Sequence, residues 1–420
     1  MAERTHVRTA RLRGLLATAA IVALTGGVAG DAAAQDWTQW RGPMRDGTVT
    51  GFDAPATWPE GLTRQWSREI GLGYATPLLL GDRLYLFTRE GDDEVMQALD
   101  AASGETLWRT AYSAAFAMNP ATNPHGEGPK STPAYADGRL FTLGISGIVS
   151  AFDAETGERL WHVPAGPVEP LYHTAMSPLV VGDLVIFHVG GHDAGALTAF
   201  DAATGAVRWA LEGDGPAYGS PQLYEFDGAR QVVTLTQTRH VGVSVETGAL
   251  LWERPFVTPY DTTSQTPLRH GDIVIETGME MGITGFRVVP APGGGWTTED
   301  VWHTNEVTLH MTNGVIADGV LVGLSQRNSG QYFGLDLDTG EVLWTSPPRQ
   351  AENAAILRSG ETIVSLQDDA QLLVLGNGRT TFDPVARYDV ADSPTWTQPT
   401  LAGNRLYVKD VDTLTLWTVE

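Results

Sequence analysis

The chain has no cysteine. That absence excludes disulfides and thiolate-held metals. It also excludes the lipid anchor that a bacterial lipoprotein carries on a cysteine at its cleavage site. Positive charge is scarce: 27 Lys and Arg stand against 50 Asp and Glu, for a formal charge of −23. Nucleic acid needs a basic footprint, which is missing, and an anionic membrane surface would repel such a chain. No stretch is polar for long enough to make a disordered domain.

The N-terminus reads as a targeting segment. Arg4, Arg8, Arg11 and Arg13 form a basic region, Leu15 to Ala29 a short apolar core, and Asp31 to Gln35 a small-residue cleavage site, with cleavage expected after Ala34. The apolar run is too short and too rich in Gly, Ala and Thr for a comfortable transmembrane helix. With no adjacent Arg pair, general secretion is favoured over the twin-arginine route. The expected division is a signal peptide at 1–34, an N-terminal extended clasp at 35–61 and a repeat domain at 62–420. The expected location is the periplasm or outside the cell, as a monomer with no membrane span.

What is abundant is one hairpin. Ala151 to Trp161, AFDAETGERLW, reads as strand, tight turn and return strand. It recurs as ALDAASGETLW from Ala98, AFDAATGAVRW from Ala199 and GLDLDTGEVLW from Gly334. GVSVETGALLW from Gly242 keeps the turn and the Trp but has Ser244 in place of Asp. In the turn, Gly supplies a positive φ and Asp100, Asp153, Asp201 and Asp336 are expected to cap backbone N–H groups. A strand-borne repeat of about 40 to 50 residues is the mark of a propeller.

Seven tryptophans follow at the repeat spacing: Trp66, Trp108, Trp161, Trp209, Trp252, Trp302 and Trp344, with Tyr388 in the eighth place. A large flat side chain at one place in every unit suits docking between neighbouring sheets. Between markers the pattern is a Ser/Thr-Pro step, an apolar strand, a Gly-Asp type turn, a second apolar strand and the hairpin, which makes four strands per unit. The last unit stops after its third strand, and an orphan strand, Leu62 to Glu69, precedes the first. The N-terminal strand is therefore expected to complete the C-terminal blade. The fold class is all-β, an eight-bladed propeller, with seven blades as the rival because the sixth and seventh units diverge.

Candidate binding residues are those just before each Pro step, where the chain crosses to the innermost strand of the next blade. They are Tyr74, Lys130, His173, Tyr218, Gln265, His310, Asn353 and Trp396, with Asp261 and Glu352 close by. Such a ring suits a small polar ligand, or a wet channel lined by incidental polar groups. Other motifs fail: the sequence before Lys130-Ser131 has Pro124 and Pro129 where a phosphate loop needs Gly. His188 and His192 do not have helical support for a zinc site.

The repeated hairpin, the orphan N-terminal strand and the opening DWTQWRGPMRDG resemble the pyrroloquinoline-quinone (PQQ)-like propeller repeat family, over nearly all of the chain from about Trp37. The resemblance implies one of two activities. One branch oxidises alcohols or sugars with PQQ, calcium and an Asp base, often under a vicinal Cys pair. The other resembles the B component of the outer-membrane-protein assembly machinery, a binding scaffold. This chain has no Cys pair and no calcium-ligand set on a matching motif, so no catalytic residue is carried over. The expectation is a non-catalytic scaffold for a protein partner or small ligand. The alternatives are a divergent PQQ- and calcium-dependent dehydrogenase and a sugar-binding module, the latter suggested by the excess of Trp.

Overall fold

The computed structural model describes residue 1 and residues 36–420. The expected signal peptide lies outside the described residues. Eight four-stranded antiparallel sheets form the blades of a β-propeller. Blades 1 to 7 span 78–113, 134–163, 179–212, 222–255, 268–304, 315–345 and 354–389. Blade 8 takes three strands from 400–418 and its outermost from Thr63–Glu69. That last pairing is antiparallel, with Trp66 opposite Leu416, so the front of the chain closes the ring as expected. Closure leaves no sheet edge open at the seam.

The burial pattern within a blade follows its place in the ring. In blade 1 the second strand, Arg83–Glu90, is buried on both faces from Leu84 to Arg89 and carries the unbroken apolar run Leu84 to Phe87. The outermost strand, Thr106–Ser113, faces solvent on one side and alternates.

The repeated motif has a separate physical reason at each of its three fixed places. Its first residue is small because it pairs across the hairpin with the Trp: Ala98 with Trp108, Ala151 with Trp161, Ala199 with Trp209, Gly242 with Trp252 and Gly334 with Trp344. Its Asp closes the turn. Asp153 Oδ1 accepts from the backbone N–H of Glu155 and Thr156 and from the Thr156 hydroxyl, and Asp100, Asp201 and Asp336 do the same. These bonds hold all four carboxyls below their ordinary value. Its Gly has a positive φ and also lies under the Trp of the preceding blade. A Cβ on Gly205 or Gly248 would come within 2.7 Å of the Trp161 or Trp209 ring.

The indole N–H completes the docking. Trp108 donates to the Ala154 carbonyl, Trp161 to Ala202, Trp209 to Val245, Trp302 to Leu337 and Trp344 to Gly378, all in the next blade. Trp252 instead donates to Gln231 within its own blade, and Trp66 covers Gly104. Tyr388 differs: its hydroxyl donates to the Pro59 carbonyl and its ring packs near Trp58.

The Ser/Thr-Pro steps carry a second ring of contacts around the axis. The Thr76 N–H donates to the Thr132 hydroxyl, Thr132 to Ser177, Ser177 to Ser220, Ser220 to Thr266, and Thr266 to the Asn313 amide, at 2.9 to 3.1 Å. At five successive crossings the next crossing thus satisfies the N–H of the residue before the Pro, which itself has no N–H to satisfy.

The stretch after Asp36, expected as an extended clasp, is turn-rich from Gln39 to Gly47 and reaches every blade. Trp37 pairs with Leu79, and Thr38 accepts from the Tyr135 N–H. Arg45 donates to the Pro178 and Pro221 carbonyls, Trp40 to the Thr266 hydroxyl, and Arg41 to Asn313 and Gly314. Val49 and Asp53 bond to Arg358 and Gly403. The segment is the hub of the propeller.

Candidate functional site: an aromatic cavity at the channel mouth

Lys130 sits at the crossing into blade 2 and lines a cavity of about 410 Å³ over the hub. Tyr74, Tyr218, His310, Asn353 and Trp396, from five other crossings, share its wall. Six of the nine residues expected to bind ligand are therefore brought together. Trp40 of the hub forms part of the wall as well.

Three expected residues do not line the cavity. His173 has a left-handed backbone (φ 65°) and is 2% exposed; its ring packs edge-on against Phe116, and its Nε2 accepts from the Asn119 N–H at 3.0 Å. It supports the crossing between blades 1 and 2. Gln265 is buried with its amide N–H groups on the His310 and Thr312 carbonyls, so it joins two crossings to each other. Asp261, also left-handed, faces His192 at 3.6 Å. Glu352 is exposed.

Other cavity residues had no signature in the pre-Pro positions. The crossing from 113 to 134 is the longest between blades and folds into a short 3₁₀ helix, Pro120–His125, capped by the Asn119 side chain. It places Ala121, Thr122 and His125 in the wall, with the His125 ring 4.4 Å from Trp396. Its length and its four prolines, Pro120, Pro124, Pro129 and Pro133, were the available signals. Tyr172 and Tyr260 close the opposite side: the Tyr172 hydroxyl donates to the Tyr260 carbonyl at 3.1 Å.

The electrostatics are simple. No Asp or Glu lines the cavity. The Lys130 Nζ is buried and has no hydrogen-bond acceptor. Burial pulls Lys130 down to about 8, and nothing raises it. Burial and the Lys130 charge pull His125 and His173 down to about 4, so both are neutral at pH 7; burial lowers His310 too. Among the described residues no cluster of three His, Asp or Glu is placed to hold a metal ion.

A closed ring of eight four-stranded blades with this repeat is a PQQ-like β-propeller. The family profile described as outer membrane protein assembly factor BamB matches residues 91–346, more than half the chain, and the chain belongs to that family. It is 25% identical over 373 residues to outer membrane protein assembly factor BamB of Shewanella oneidensis, covering 82% of this chain and 85% of that one. It is 32% identical over 143 residues to the dehydrogenase subunit of a quinone alcohol dehydrogenase from Komagataeibacter europaeus, which is 32% of this chain and 19% of that subunit. In fold it is similar to BamB of Moraxella catarrhalis, with a TM-score of 0.60 at 19% identity over 86% of this chain and 98% of that one. It is also similar to a quinohemoprotein alcohol dehydrogenase of Pseudomonas putida, with a TM-score of 0.68 at 14% identity over 91% of this chain and 80% of that one. No helix among the described residues is long and apolar enough to cross a membrane.

Proposed function

We propose that the protein is an exported, non-catalytic scaffold that takes a protein or a small ligand at the channel mouth. The make-up of the cavity carries this reading: aromatic walls, one unpartnered ammonium and no carboxylate. Quinoprotein chemistry would need hard oxygen donors for calcium and a carboxylate base. The residues here do not fit that group. The two side-chain amide oxygens in the wall are already engaged, Asn353 by the Thr312 hydroxyl and Asn313 by the Thr266 N–H.

The relatives named as outer membrane protein assembly factors support a protein partner, and a component of outer-membrane protein assembly is the natural candidate. A sugar-binding module loses its motive, because the repeated tryptophans are taken up in blade docking. The rival reading, a divergent PQQ-dependent dehydrogenase, draws on the 143-residue match to an alcohol dehydrogenase subunit. The protein supplied with PQQ and calcium is expected to reduce no dye with a panel of alcohols and sugars. Sustained dye reduction, with a calcium-dependent rise in melting temperature on adding PQQ, overturns the scaffold reading.

A further inference from the structure

The chain contains two lysines, Lys130 and Lys409; every other one of its 27 basic side chains is arginine. Lys409 is buried at a strand end and donates to the Asp410 and Val411 carbonyls. Lys130 has no such acceptor. A buried ammonium without a partner is costly, so its persistence asks for an occupant that supplies the missing acceptor.

We propose that the channel-mouth cavity is a carboxylate-binding site, in which Lys130 takes the carboxylate of a ligand whose apolar or aromatic body lies against Tyr74, Tyr218 and Trp396. This rests on the reading of the cavity as a binding site without chemistry of its own. The wall has one cation and no anion, so it matches one carboxylate and not a polyanion. His125 and His310 flank it as uncharged imidazoles, able to donate hydrogen bonds without adding charge. A cation or a metal finds no counter-charge there. The volume lies within the range of small-ligand pockets, roughly 300–1,000 Å³. A carboxylate also removes the burial penalty on Lys130 by pairing with it, and a charge-assisted bond in a largely apolar wall is stronger than one in water.

The carboxylate has two sources, a free small acid or the C-terminus of a polypeptide, and the experiment separates them. Calorimetry on the full protein compares 3-(indol-3-yl)propionate with its amide, and a tripeptide ending in phenylalanine as free acid and as amide. Protection of Lys130 from acylation, read by peptide mass, reports occupancy at the site. The free acids are expected to bind at least about tenfold more tightly than the amides. Lys130→Met is expected to bind acid and amide alike. Binding of the indole acid alone assigns a small metabolite, and of the peptide alone a chain end. Equal binding of acid and amide by the wild-type protein, or binding of none of the four, overturns the proposal. Should Lys130→Met fail to fold, the wild-type comparison still decides. Loss of this inference without dye reduction leaves the scaffold reading standing, whereas dye reduction removes that reading itself.

Discussion

Glu94 is a carboxyl group in the core, fully buried, packed against Gly144, where a Cβ would clash with it. The Tyr112 hydroxyl and the Ile145 N–H donate to its two oxygens. Burial outweighs those bonds and the nearby Arg89 and Arg159 charges, and raises the group to about 7. The folded state therefore holds the proton more tightly than the unfolded chain, whose carboxyl titrates near 4.5. The Glu94 contribution to stability is largest below that value and is lost as pH rises through about 7, roughly 3 kcal/mol in all. Glu94→Gln is expected to flatten this dependence and to stabilise the protein at pH 8. Urea unfolding of both proteins at pH 4.5 and pH 8 measures it; parallel losses in the two would assign the pH dependence elsewhere.

The hub segment owes its hold to two arginines that have no carboxylate in reach of a hydrogen bond. Arg45 donates to the Ser177, Pro178 and Pro221 carbonyls and to Gln39, and its own carbonyl accepts from Gln222. Burial lowers Arg45 to about 9 and Arg41 to about 10, so both remain charged at neutral pH. The planar guanidinium suits this place because one side chain can reach carbonyls from two adjacent blades at once. Arg45→Leu leaves those carbonyls without a donor and is expected to cost about 3 kcal/mol. A drop in melting temperature measures that loss. Weaker carboxylate binding in the same variant would show that the hub also sets the cavity wall, since Trp40 belongs to both.

The ring as a whole depends on one seam. Seven blades are built from consecutive strands, and the eighth is completed by Thr63–Glu69 across its pairing with Thr413–Thr418. Side chains reinforce it: Gln65 donates to the Thr418 hydroxyl, Ser67 bonds to Thr415, and the Trp66 ring lies 6.1 Å from Tyr407. Deleting residues 36–69 removes both seam strand and hub, and exposes a hydrophobic strand edge. The shortened chain is expected to associate through that edge, which light scattering on a sizing column reads directly. A monodisperse monomer with the wild-type melting temperature would refute the seam as the closure.

Much of this was legible along the chain because its causes are local. A small residue opposite a Trp, an Asp two residues later and a Gly in the turn leave a recurring trace, and counting strands at the two ends revealed the seam. The pre-Pro positions could be placed at the channel mouth for the same reason. Which of them share the cavity was decided only in three dimensions. His173 and Asp261 are turned by left-handed backbone, and Gln265 is engaged by carbonyls of the next crossing. His125 and Trp40 reach the wall from an insertion and from the hub, which neighbour it in space and not in sequence. Convergence on an axis sums eight long-range placements, and no window of sequence contains that sum.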